Sequence, residues 1–496
     1  MTRRGGGSVP EDELGHGYPA TAPAPGGMAP GEFREWGHRF VDWVSDYLEG
    51  IDAYPVLART KPGEVRDALP AEPPATGEPL HALFEDFRSV IVPGITHWNH
   101  PAFFGYFAVS GSGPGILGEL LAAALNVNAM VWKSSPAATE LEEVTLGWLR
   151  SFLGLPPEFT GAINDTASTS TFLALAAARE RYLPEAREDG MSAAPAGRVY
   201  TSREAHSSVL KAVHALGFGR RGVRAVATGP DRAMDPAALA DAINHDVTSG
   251  FRPLAVVATI GTTSTTAVDP VAAIAGIARS RGLWLHVDAA YAGVAAALPG
   301  MGHHFTGWER ADSIVVNPHK WLFTPVDCSV LYVRDPSWLR AAFSLVPAYL
   351  ETSETGVTHL MDQGLALGRR FRALKLWFVM RYFGQEGLRE ILARHVAFAR
   401  RLAHAVDAAA GWELWRPSPF SLVVLRRSPP GVSGGERDAL NLSIMDRVNR
   451  SGAAFLSPTE IGGETWLRFA IGNVHTAARH VNATWEALRE AANEAG

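Results

Sequence analysis

A lysine follows a short apolar run in the stretch Ser313-Ile-Val-Val-Asn-Pro-His-Lys-Trp321. Two earlier stretches have the same form: Leu254-Ala-Val-Val-Ala-Thr-Ile260 precedes Gly261-Thr-Thr263, and Leu283-Trp-Leu-His-Val287 precedes Asp288-Ala-Ala-Tyr291. Nearly continuous apolar runs of this length are typical of parallel strands that are covered on both faces. In an open α/β sheet ligands bind beyond the carboxyl ends of the strands, so the three polar clusters predict one site.

Lys320 and Asp288 are the candidates for the chemistry at this sheet edge. A partly desolvated lysine can form a Schiff base with an aldehyde. An aspartate beside a pyridinium nitrogen keeps that nitrogen protonated, because an opposite charge favours the charged form. Both requirements are those of pyridoxal phosphate (PLP), whose ring acts as an electron sink. A lone lysine is usually a solvated surface residue, but the setting of Lys320 argues against that interpretation.

Two other motifs are compatible with this cofactor. His206, in Glu204-Ala-His-Ser-Ser208, could stack on a flat ring or donate a proton, although such a histidine taken alone is more often a helix cap or a core residue. Ala167-Ser-Thr-Ser170 opens a helical pattern, where amides and hydroxyls can bind an anion. Ordinary N-capping is the alternative for the second motif.

Two sequence features are interpreted as structural. Gly113-Pro-Gly-Ile-Leu-Gly118 matches G-x-G-x-x-G, but no acidic residue in the ribose-binding role stands about 20 residues further on. NAD binding is therefore disfavoured. Cys328 lies in an apolar run and is predicted to be a buried, unreactive thiol.

Composition excludes several classes of protein. The 496 residues predict two or three structural units, and 47% hydrophobic with 19% charged residues is ordinary for a globular chain. A net charge of −6 does not suit a nucleic-acid binder. One cysteine excludes an intrachain disulfide and a cysteine-based metal cluster, and it fits the reducing cytoplasm. We expect no metal, no export and no membrane span, because no secretion signal or long apolar stretch is found.

The chain is predicted to have four parts. Residues 1–30 are rich in Gly, Pro and Ala and predict a disordered tail. Residues 31–105 begin with an aromatic helical stripe from Phe33 to Ile51, which needs either the chain's own core or a second subunit as partner. Residues 106–384 hold the large domain, in which Ser135-Pro136 predicts a helix start. Residues 385–496, with apolar runs at 420–425 and 466–471, predict a small α/β domain.

In combination, these motifs resemble the aromatic-L-amino-acid decarboxylases, a branch of the group II PLP-dependent decarboxylases. The resemblance runs from about residue 33 to the C-terminus. It is carried by Thr96-His-Trp98, Ser135-Pro-Ala-Ala-Thr-Glu-Leu-Glu142, Ala205-His-Ser-Ser208, His286-Val-Asp-Ala-Ala-Tyr-Ala-Gly293, Asn317-Pro-His-Lys-Trp321 and Leu367-Gly-Arg-Arg-Phe-Arg372.

The resemblance implies the α/β fold of the PLP-dependent transferases, fold type I: a mainly parallel central sheet covered by helices, an N-terminal helical segment and a small C-terminal α/β domain. It also implies an obligate homodimer whose active sites are shared, with residues 31–105 as a dimerisation segment that wraps over the partner. The aromatic stripe would then pack between subunits.

By motif position, the resemblance implies a role for each site residue. Lys320 would form the Schiff base, Asp288 would pair with the pyridinium nitrogen, and His206 would stack on the ring. The other implied cofactor contacts are Ala167, Ser168 and Asn317 at the phosphate, with Thr263 and Ala290 beside the cofactor. Tyr349, in a mobile catalytic loop, would reprotonate Cα as a general acid after carbon dioxide leaves.

Tyr349 and His206 also favour an amine as the product. Aldehyde synthases of the same family lack that tyrosine or alter the histidine position, and both residues are present here. Such a synthase remains an alternative, as does a group II decarboxylase of a non-aromatic amino acid. A PLP-binding partner protein without turnover is disfavoured because Lys320 is present.

The substrate-binding residues implied by the resemblance are Trp98, Tyr106, Phe107, Val109, Asn128, Met130 and Gly368. Val109 stands where animal DOPA decarboxylases of the family have threonine, and valine cannot bond a catechol hydroxyl. Met130 is a flexible filler that suits a larger ring. By resemblance, Gly368 accompanies roomy pockets. Tryptophan or phenylalanine is therefore favoured over DOPA or tyrosine. Asp165, where glycine is common, is expected to cap the helix or point away from the phosphate.

Overall fold

The computed structural model describes residues 27–344, 354 and 356–495. The strands in this part of the chain are β1 Thr160–Asn164, β2 Gly197–Ser202, β3 Val223–Val226, β4 Arg252–Thr259, β5 Trp284–Asp288, β6 Ser313–Val316, β7 Ser329–Val333, β8 Trp412–Leu414, β9 Leu422–Arg427, β10 Ser457–Ile461 and β11 Glu464–Ala470. The helices are α1 Pro30–Glu49, α2 Glu64–Asp67, α3 Leu80–Asp86, α4 Val92–Gly94, α5 Gly113–Leu125, α6 Pro136–Phe152, α7 Ala167–Tyr182, α8 Glu185–Asp189, α9 Ser207–Ala215, α10 Pro236–Thr248, α11 Val271–Ser280, α12 Pro318–Trp321, α13 Ser337–Phe343, α14 Ala373–Ala408, α15 Gly434–Ser451 and α16 Ala478–Ala495.

The central sheet has the order β1-β7-β6-β5-β4-β2-β3. All its pairs are parallel except those of β7, which runs antiparallel to β1 and β6. The three strands predicted from sequence are neighbours, with Thr259 of β4 opposite Asp288 of β5 and Asp288 opposite Val315 of β6. Their polar ends therefore meet at one sheet edge, and the mainly parallel sheet is confirmed.

Helices cover both faces of this sheet because its strands are apolar on both sides. Along β4, Val256 and Ala258 pack on one face with helices α6, α10, α11 and α14. Ala255 and Val257 pack on the opposite face with α7, α9 and α13. Successive side chains of a strand point to opposite faces, so a continuous apolar run requires two cores.

The C-terminal part of the chain forms a second, antiparallel sheet with the order β10-β11-β9-β8. Its core also contains Phe103 and Phe104 from the N-terminal part of the chain. The Phe104 amide donates to the Phe455 carbonyl at 2.8 Å, and the Ala470 amide donates to the Phe104 carbonyl at 2.9 Å. Helix α14 has its kink at Gly384 (φ 64°), where the sequence places the domain boundary. The domain boundaries stay predictions.

Helix α1 confirms the helical pattern predicted from Phe33 onwards. None of its residues is buried, and Phe33 is 65% exposed. Its aromatic stripe packs against Phe84 and Phe87, and at its C-terminal end Tyr47 contacts Tyr54 and His97. Helix α1 therefore presents an apolar face that the described residues of one chain leave largely open. In that same part of the chain, no helix has the length and apolarity needed to cross a membrane.

Other local predictions can be compared with the structure. The Ser135 hydroxyl accepts from the Ala138 amide at the start of α6, as predicted. Gly115 and Gly118 lie inside α5, where a Cβ atom would come within 2.4 Å of Pro325 Cδ and 2.8 Å of the Lys375 Cα respectively. These glycines permit close helix packing. Cys328 is buried as predicted, and burial raises its pKa to about 12.

Buried histidines make the folded chain sensitive to acid. The Trp321 indole donates to Nδ1 of His395 at 3.0 Å, and burial lowers the pKa of His395 to about 3. Burial likewise lowers the pKa of His286 to about 4. Between their ordinary value of 6.5 and these values the unfolded chain binds more protons, so stability falls as pH falls. Each site contributes about 1.4 kcal/mol per pH unit. The buried Asp269 carboxyl has a raised pKa of about 6. Below that pH it stabilises the folded chain as pH falls, and so it opposes the effect of the histidines.

We therefore expect the free energy of unfolding to fall as pH decreases from about 7 to about 5. Replacing His395 with asparagine keeps an acceptor for the Trp321 indole but removes the titrating group. The drop should then become smaller by about 2 kcal/mol. Urea unfolding of both chains at the two pH values measures the difference. An unchanged drop would show that His395 does not contribute.

Candidate active site

Lys320, Asp288 and His206 lie close enough at the predicted sheet edge for their charges to act on one another. Lys320 lies in the short helix α12 that follows β6. Burial lowers the pKa of Lys320, while the Asp288 carboxylate opposes that shift. Burial and the Lys320 charge lower the pKa of His206, and Asp288 opposes this shift too. The three side chains predicted from separate motifs therefore act on one another in one site.

The hydrogen bonds of His206 define which ring nitrogen carries the proton. His206 is the N-cap of α9, and its Nδ1 accepts from the Ser208 amide at 3.2 Å. The Ser208 hydroxyl also lies 2.9 Å from this nitrogen. Because Nδ1 is an acceptor, neutral His206 carries its proton on Nε2. The ring is thus fixed by its own helix, and its Nε2 donor bonds to none of the residues that the structure describes.

Asp288 and Ala290 link the ends of two strands. The Asp288 carboxylate is buried at the end of β5, and its Oδ1 accepts from the Ala290 amide at 3.1 Å. The Ala290 carbonyl in turn accepts from the Asn317 amide at 3.0 Å. These bonds fix the Asp288 carboxylate relative to the segment that carries Lys320.

His319 was given no role by the sequence reasoning, although it lies inside the Asn317-Pro-His-Lys-Trp321 motif. Its Nδ1 accepts from the Cys328 amide at 2.8 Å, so Nε2 carries the hydrogen. The Asn317 side-chain nitrogen Nδ2 lies 3.3 Å from Nε2. Since Nε2 carries the hydrogen, we infer that the amide is turned by about 180° and that its oxygen accepts this bond. Burial lowers the pKa of His319 to about 4. The neutral ring therefore orients Asn317.

Ala167 and Ser168 are the first two residues of the 16-residue helix α7. The hydroxyl of Thr166 caps the helix by accepting from the Thr169 amide at 3.5 Å, and Ser168 is exposed. Asp165 Oδ1 accepts from the Thr166 amide at 2.6 Å, so this carboxylate binds the chain's own backbone at the helix start. Thr263, after β4, is exposed.

An aromatic wall stands beside Lys320. Phe107 is buried and stacks on Tyr291 at 3.8 Å, and Tyr291 stacks on Trp321 at 5.0 Å between ring centroids. The Lys320 Nζ lies 5.6 Å from the centre of the Phe107 ring. Trp98 and Tyr106 also stack on each other, with ring centroids 5.7 Å apart. Val109 is half-buried in the following segment.

Arg468 is a second residue that the sequence reasoning missed. Its guanidinium carbon lies 5.0 Å from the centre of the Phe107 ring, and Nη1 donates to the Ser457 hydroxyl at 3.0 Å. The same hydroxyl accepts from the Tyr106 amide at 3.0 Å. Nε and Nη2 have no hydrogen-bond partner among the described residues, and burial lowers the pKa of Arg468 to about 10. An arginine within the apolar run 466–471 was the available signal.

Asn128, Met130 and Gly368 form a separate group. The Asn128 side-chain nitrogen lies 3.7 Å from Met130 Sδ, and a Cβ on Gly368 would lie 3.8 Å from that nitrogen. Within residues 27–344, 354 and 356–495, no hydrogen bond or ring contact joins this group to the wall around Phe107. Tyr349 lies outside the described residues.

The pyridoxal-dependent decarboxylase conserved domain matches residues 62–427 of this sequence. The chain belongs to the pyridoxal-dependent decarboxylase family. A tryptophan decarboxylase 2 of Oryza sativa subsp. japonica is 40% identical over 474 residues, covering 93% of this chain and 95% of that protein. A phenylacetaldehyde synthase of Arabidopsis thaliana is 38% identical, covering 93% of this chain and 96% of the synthase.

Solved structures agree with this assignment. The crystal structure of Oryza sativa TDC with PLP and tryptamine superposes with a TM-score of 0.92 at 38% identity, covering 95% of this chain and 99% of that one. The fold type I architecture and the PLP-dependent decarboxylase activity expected from sequence are confirmed. The donor set fits PLP: a lysine with a lowered pKa, a buried carboxylate and a fixed imidazole face one site.

Proposed function

We propose that this decarboxylase converts an aromatic L-amino acid, with tryptophan or phenylalanine favoured, into the arylalkylamine and carbon dioxide. The observation that carries the proposal is the position of Lys320, whose Nζ lies 5.6 Å from the centre of the Phe107 ring and whose charge interacts with those of Asp288 and His206. The Oryza sativa tryptophan decarboxylase supports an aromatic substrate. So does the similar crystal structure of Oryza sativa TDC with PLP and tryptamine.

In this proposal the site residues hold PLP in stated roles. Lys320 would bind it covalently, Asp288 would pair with its ring nitrogen, and His206 would stack on its ring. The remaining cofactor contacts are Ala167, Ser168 and Asn317 at the phosphate, with Thr263 and Ala290 beside the ring. When bound, PLP supplies the electron sink that makes loss of carbon dioxide possible.

The chain's own residues then set the conditions for the reaction. Burial lowers the pKa of Lys320, which makes more of the reactive neutral amine available. The stacked rings of Phe107 and Tyr291 provide an apolar wall that excludes water from the leaving carboxylate. His206 keeps its Nε2 hydrogen available at the site, because Nδ1 is held by Ser208. Tyr349 donates the final proton to Cα.

The pocket residues support a large aromatic side chain. Val109 has no hydrogen-bonding group for a catechol. Met130 can adapt to a large ring, and among the described residues the Asn128 amide alone comes within 4 Å of a Cβ placed on Gly368. We therefore favour indole or phenyl substrates over DOPA and tyrosine. Comparable kcat/KM values for DOPA and tryptophan would remove this argument.

We also propose that the enzyme is a homodimer with shared active sites. Four leucines of α5 are about half exposed: Leu117, Leu120, Leu121 and Leu125. Contiguous exposed apolar surface of this kind marks an interface. This helix leads directly to the separate group that contains Asn128 and Met130, so a second chain seated there would receive that group. The open stripe of α1 supports a dimerisation role for residues 31–105. The single buried cysteine suits a cytoplasmic enzyme.

The test is to incubate the PLP-loaded protein with tryptophan, phenylalanine, tyrosine, DOPA, histidine and glutamate. Products are identified by mass spectrometry, and hydrogen peroxide and ammonia are measured in parallel. We expect tryptamine or phenylethylamine without peroxide. An amine made only from histidine or glutamate would contradict the aromatic assignment, and absence of any turnover would favour a PLP-binding partner protein.

An aldehyde synthase is the second candidate, because a phenylacetaldehyde synthase is 38% identical to this chain. Tyr349 distinguishes the two reactions. We expect Tyr349→Phe to lower amine formation by about 10²–10³-fold and to raise the aldehyde-to-amine ratio, since a positioned general acid contributes this much. Mass spectrometry of both products measures the ratio. Tyr382→Phe, on the exposed surface of α14, is the matched control. An unchanged ratio in the Tyr349 variant would refute the proton-donor role.

A further inference from the structure

A buried ion pair lies beneath the separate pocket group. Arg369 Nη2 donates to Glu142 Oε1 at 2.8 Å, and the two side chains are only 7% and 3% exposed. The same guanidinium nitrogen donates to the Ile163 carbonyl at 2.9 Å. Glu142 Oε1 also accepts from the Ile163 amide at 2.9 Å. Charge-assisted bonds in a buried site hold their partners firmly. The pair therefore fixes Arg369 against helix α6 and strand β1.

Arg369 in turn fixes residues 126–132, which we name the pocket arm. Its backbone amide donates to Asn128 Oδ1 at 2.8 Å, and its carbonyl accepts from the Ala129 amide at 2.9 Å. The Met361 amide also donates to the Met130 carbonyl at 2.9 Å. The arm thus takes its position from Arg369 and from the chain that leads to it.

In the part of the chain that the structure describes, no hydrogen bond or ring contact joins the pocket arm to the reactive lysine of its own chain. Asn128 and Gly368 are exposed, and among the described residues neither contacts the wall of Phe107. The arm continues directly from the exposed leucine face of α5, where Leu125 is 60% exposed. In a dimer formed through that face, the exposed side of the arm is available to the second chain.

We propose that Glu142 and Arg369 are positioning residues that hold the pocket arm for the active site of the second chain, and so set that site's affinity for the aromatic substrate. Neither side chain contacts Lys320. The inference rests on the proposed function, because it requires an aromatic substrate and a shared site. An ion pair buried in one chain then affects the substrate affinity of the active site in the other chain.

Glu142→Gln is the direct test, since it keeps the shape and an acceptor for the Ile163 amide but removes the charge that Arg369 needs. A small displacement of a positioning group can cost up to about 10²-fold in rate. We expect KM for tryptophan and the Kd for tryptamine to rise about tenfold while kcat changes much less, as for a lost binding interaction. Tryptamine binding is measured by the change in visible absorbance of the PLP-loaded dimer. Before tryptamine is added, that absorbance should equal the wild-type value, because the Lys320 site is intact.

Two variants separate positioning from a general loss of stability. Asp246→Asn also neutralises a buried acid. Asp246 Oδ2 lies 3.5 Å from Arg198 Nε, and Asp246 is distant in sequence from the pocket arm. This variant should leave KM and the tryptamine Kd unchanged. Arg369→Lys keeps the charge and should fall between the wild-type and Glu142→Gln values. If Glu142→Gln does not accumulate as a folded dimer, Arg369→Lys is used in its place in the hybrids below.

Hybrid dimers with two affinity tags test which chain the pair serves. A Lys320→Ala chain joined to a Glu142→Gln chain has one reactive lysine, and a native arm from the partner faces it. We expect wild-type KM and wild-type tryptamine Kd at that site. A wild-type chain joined to a chain with both changes should show the raised values. The control joins a wild-type chain to a Lys320→Ala chain.

The opposite pattern would overturn the inference: raised KM in the first hybrid and wild-type KM in the second place the effect within one chain. Unchanged KM and Kd in both the Glu142→Gln and Arg369→Lys dimers would overturn it as well. Failure of the wild-type dimer to produce any aromatic amine would instead reject the proposed function. The two failures are therefore distinguishable.

Discussion

Lys320→Ala is expected to abolish amine formation, with kcat reduced by at least about 10⁴-fold. The reason is that covalent attachment and the amine of this lysine are removed together, and covalent catalysis supplies a large share of such barriers. Lys61→Ala, on the exposed surface, should retain wild-type activity. Mass spectrometry of the amine product from saturating substrate measures both variants.

A second measurement identifies which lysine is bonded covalently to PLP. Borohydride reduction of the wild-type holoenzyme should leave the pyridoxyl group on the peptide that contains Lys320, and the variant should lack it. Attachment to Lys375, or a variant that keeps a tenth of the wild-type rate, would show that another group performs the role. Lys375 is fully buried and paired with Glu119 at 2.8 Å, so we do not expect this.

Asp288→Asn is expected to reduce kcat by about 10²–10³-fold while PLP stays bound. An asparagine can still accept from the Ala290 amide, which the carboxylate does at 3.1 Å. It cannot supply the negative charge that favours a protonated ring nitrogen, and loss of one preorganised electrostatic partner has this magnitude. Steady-state kinetics together with the visible absorbance of bound PLP measure the two effects separately.

Asp312→Asn is the matched control for this change. Its carboxylate also accepts a backbone amide of β5, that of Leu285 at 2.8 Å, but lies at the opposite end of the strand. We expect it to leave kcat within about threefold of wild type, as for a change that removes no transition-state contact. Equal losses in both variants would mean that sheet stability, and not charge at the ring nitrogen, explains the result for Asp288.

The central sheet was accessible from sequence because burial on both faces leaves a simple pattern. Three apolar runs predicted β4, β5 and β6, and the ends of these strands meet at one sheet edge, where Asp288 and the segment that carries Lys320 lie. The same reasoning could not show that β7 runs antiparallel. The direction of a strand depends on how the chain connects it to its neighbours in the sheet. An apolar run has the same pattern in a parallel and in an antiparallel strand, so it does not indicate direction.

The missed residues share a different cause. Arg468 differs from an ordinary surface arginine because folding buries it beside Phe107. Arg369 differs because it forms an ion pair with Glu142, which is 227 residues away in sequence. His319 was overlooked because one of its ring nitrogens is bonded to the Cys328 amide, nine residues away, and this bond exists only after β7 has packed beside α12. Burial and pairing of polar side chains are set by tertiary contacts, so local patterns do not predict them. The division of the pocket residues into two groups has the same origin.

The contribution of Phe103 and Phe104 to the C-terminal core limits how this enzyme can be recombined. Both rings are fully buried there, and backbone bonds tie Phe104 to Phe455 and Ala470. The C-terminal part is therefore not a module that could be transplanted at residue 385. A chimera between this chain and a relative would need to exchange residues 102–104 together with the C-terminal sheet. Tyr106 and Phe107, which are proposed to bind the substrate, follow Phe104 closely in the sequence. Evolution of substrate choice would therefore change the packing between the two domains at the same time.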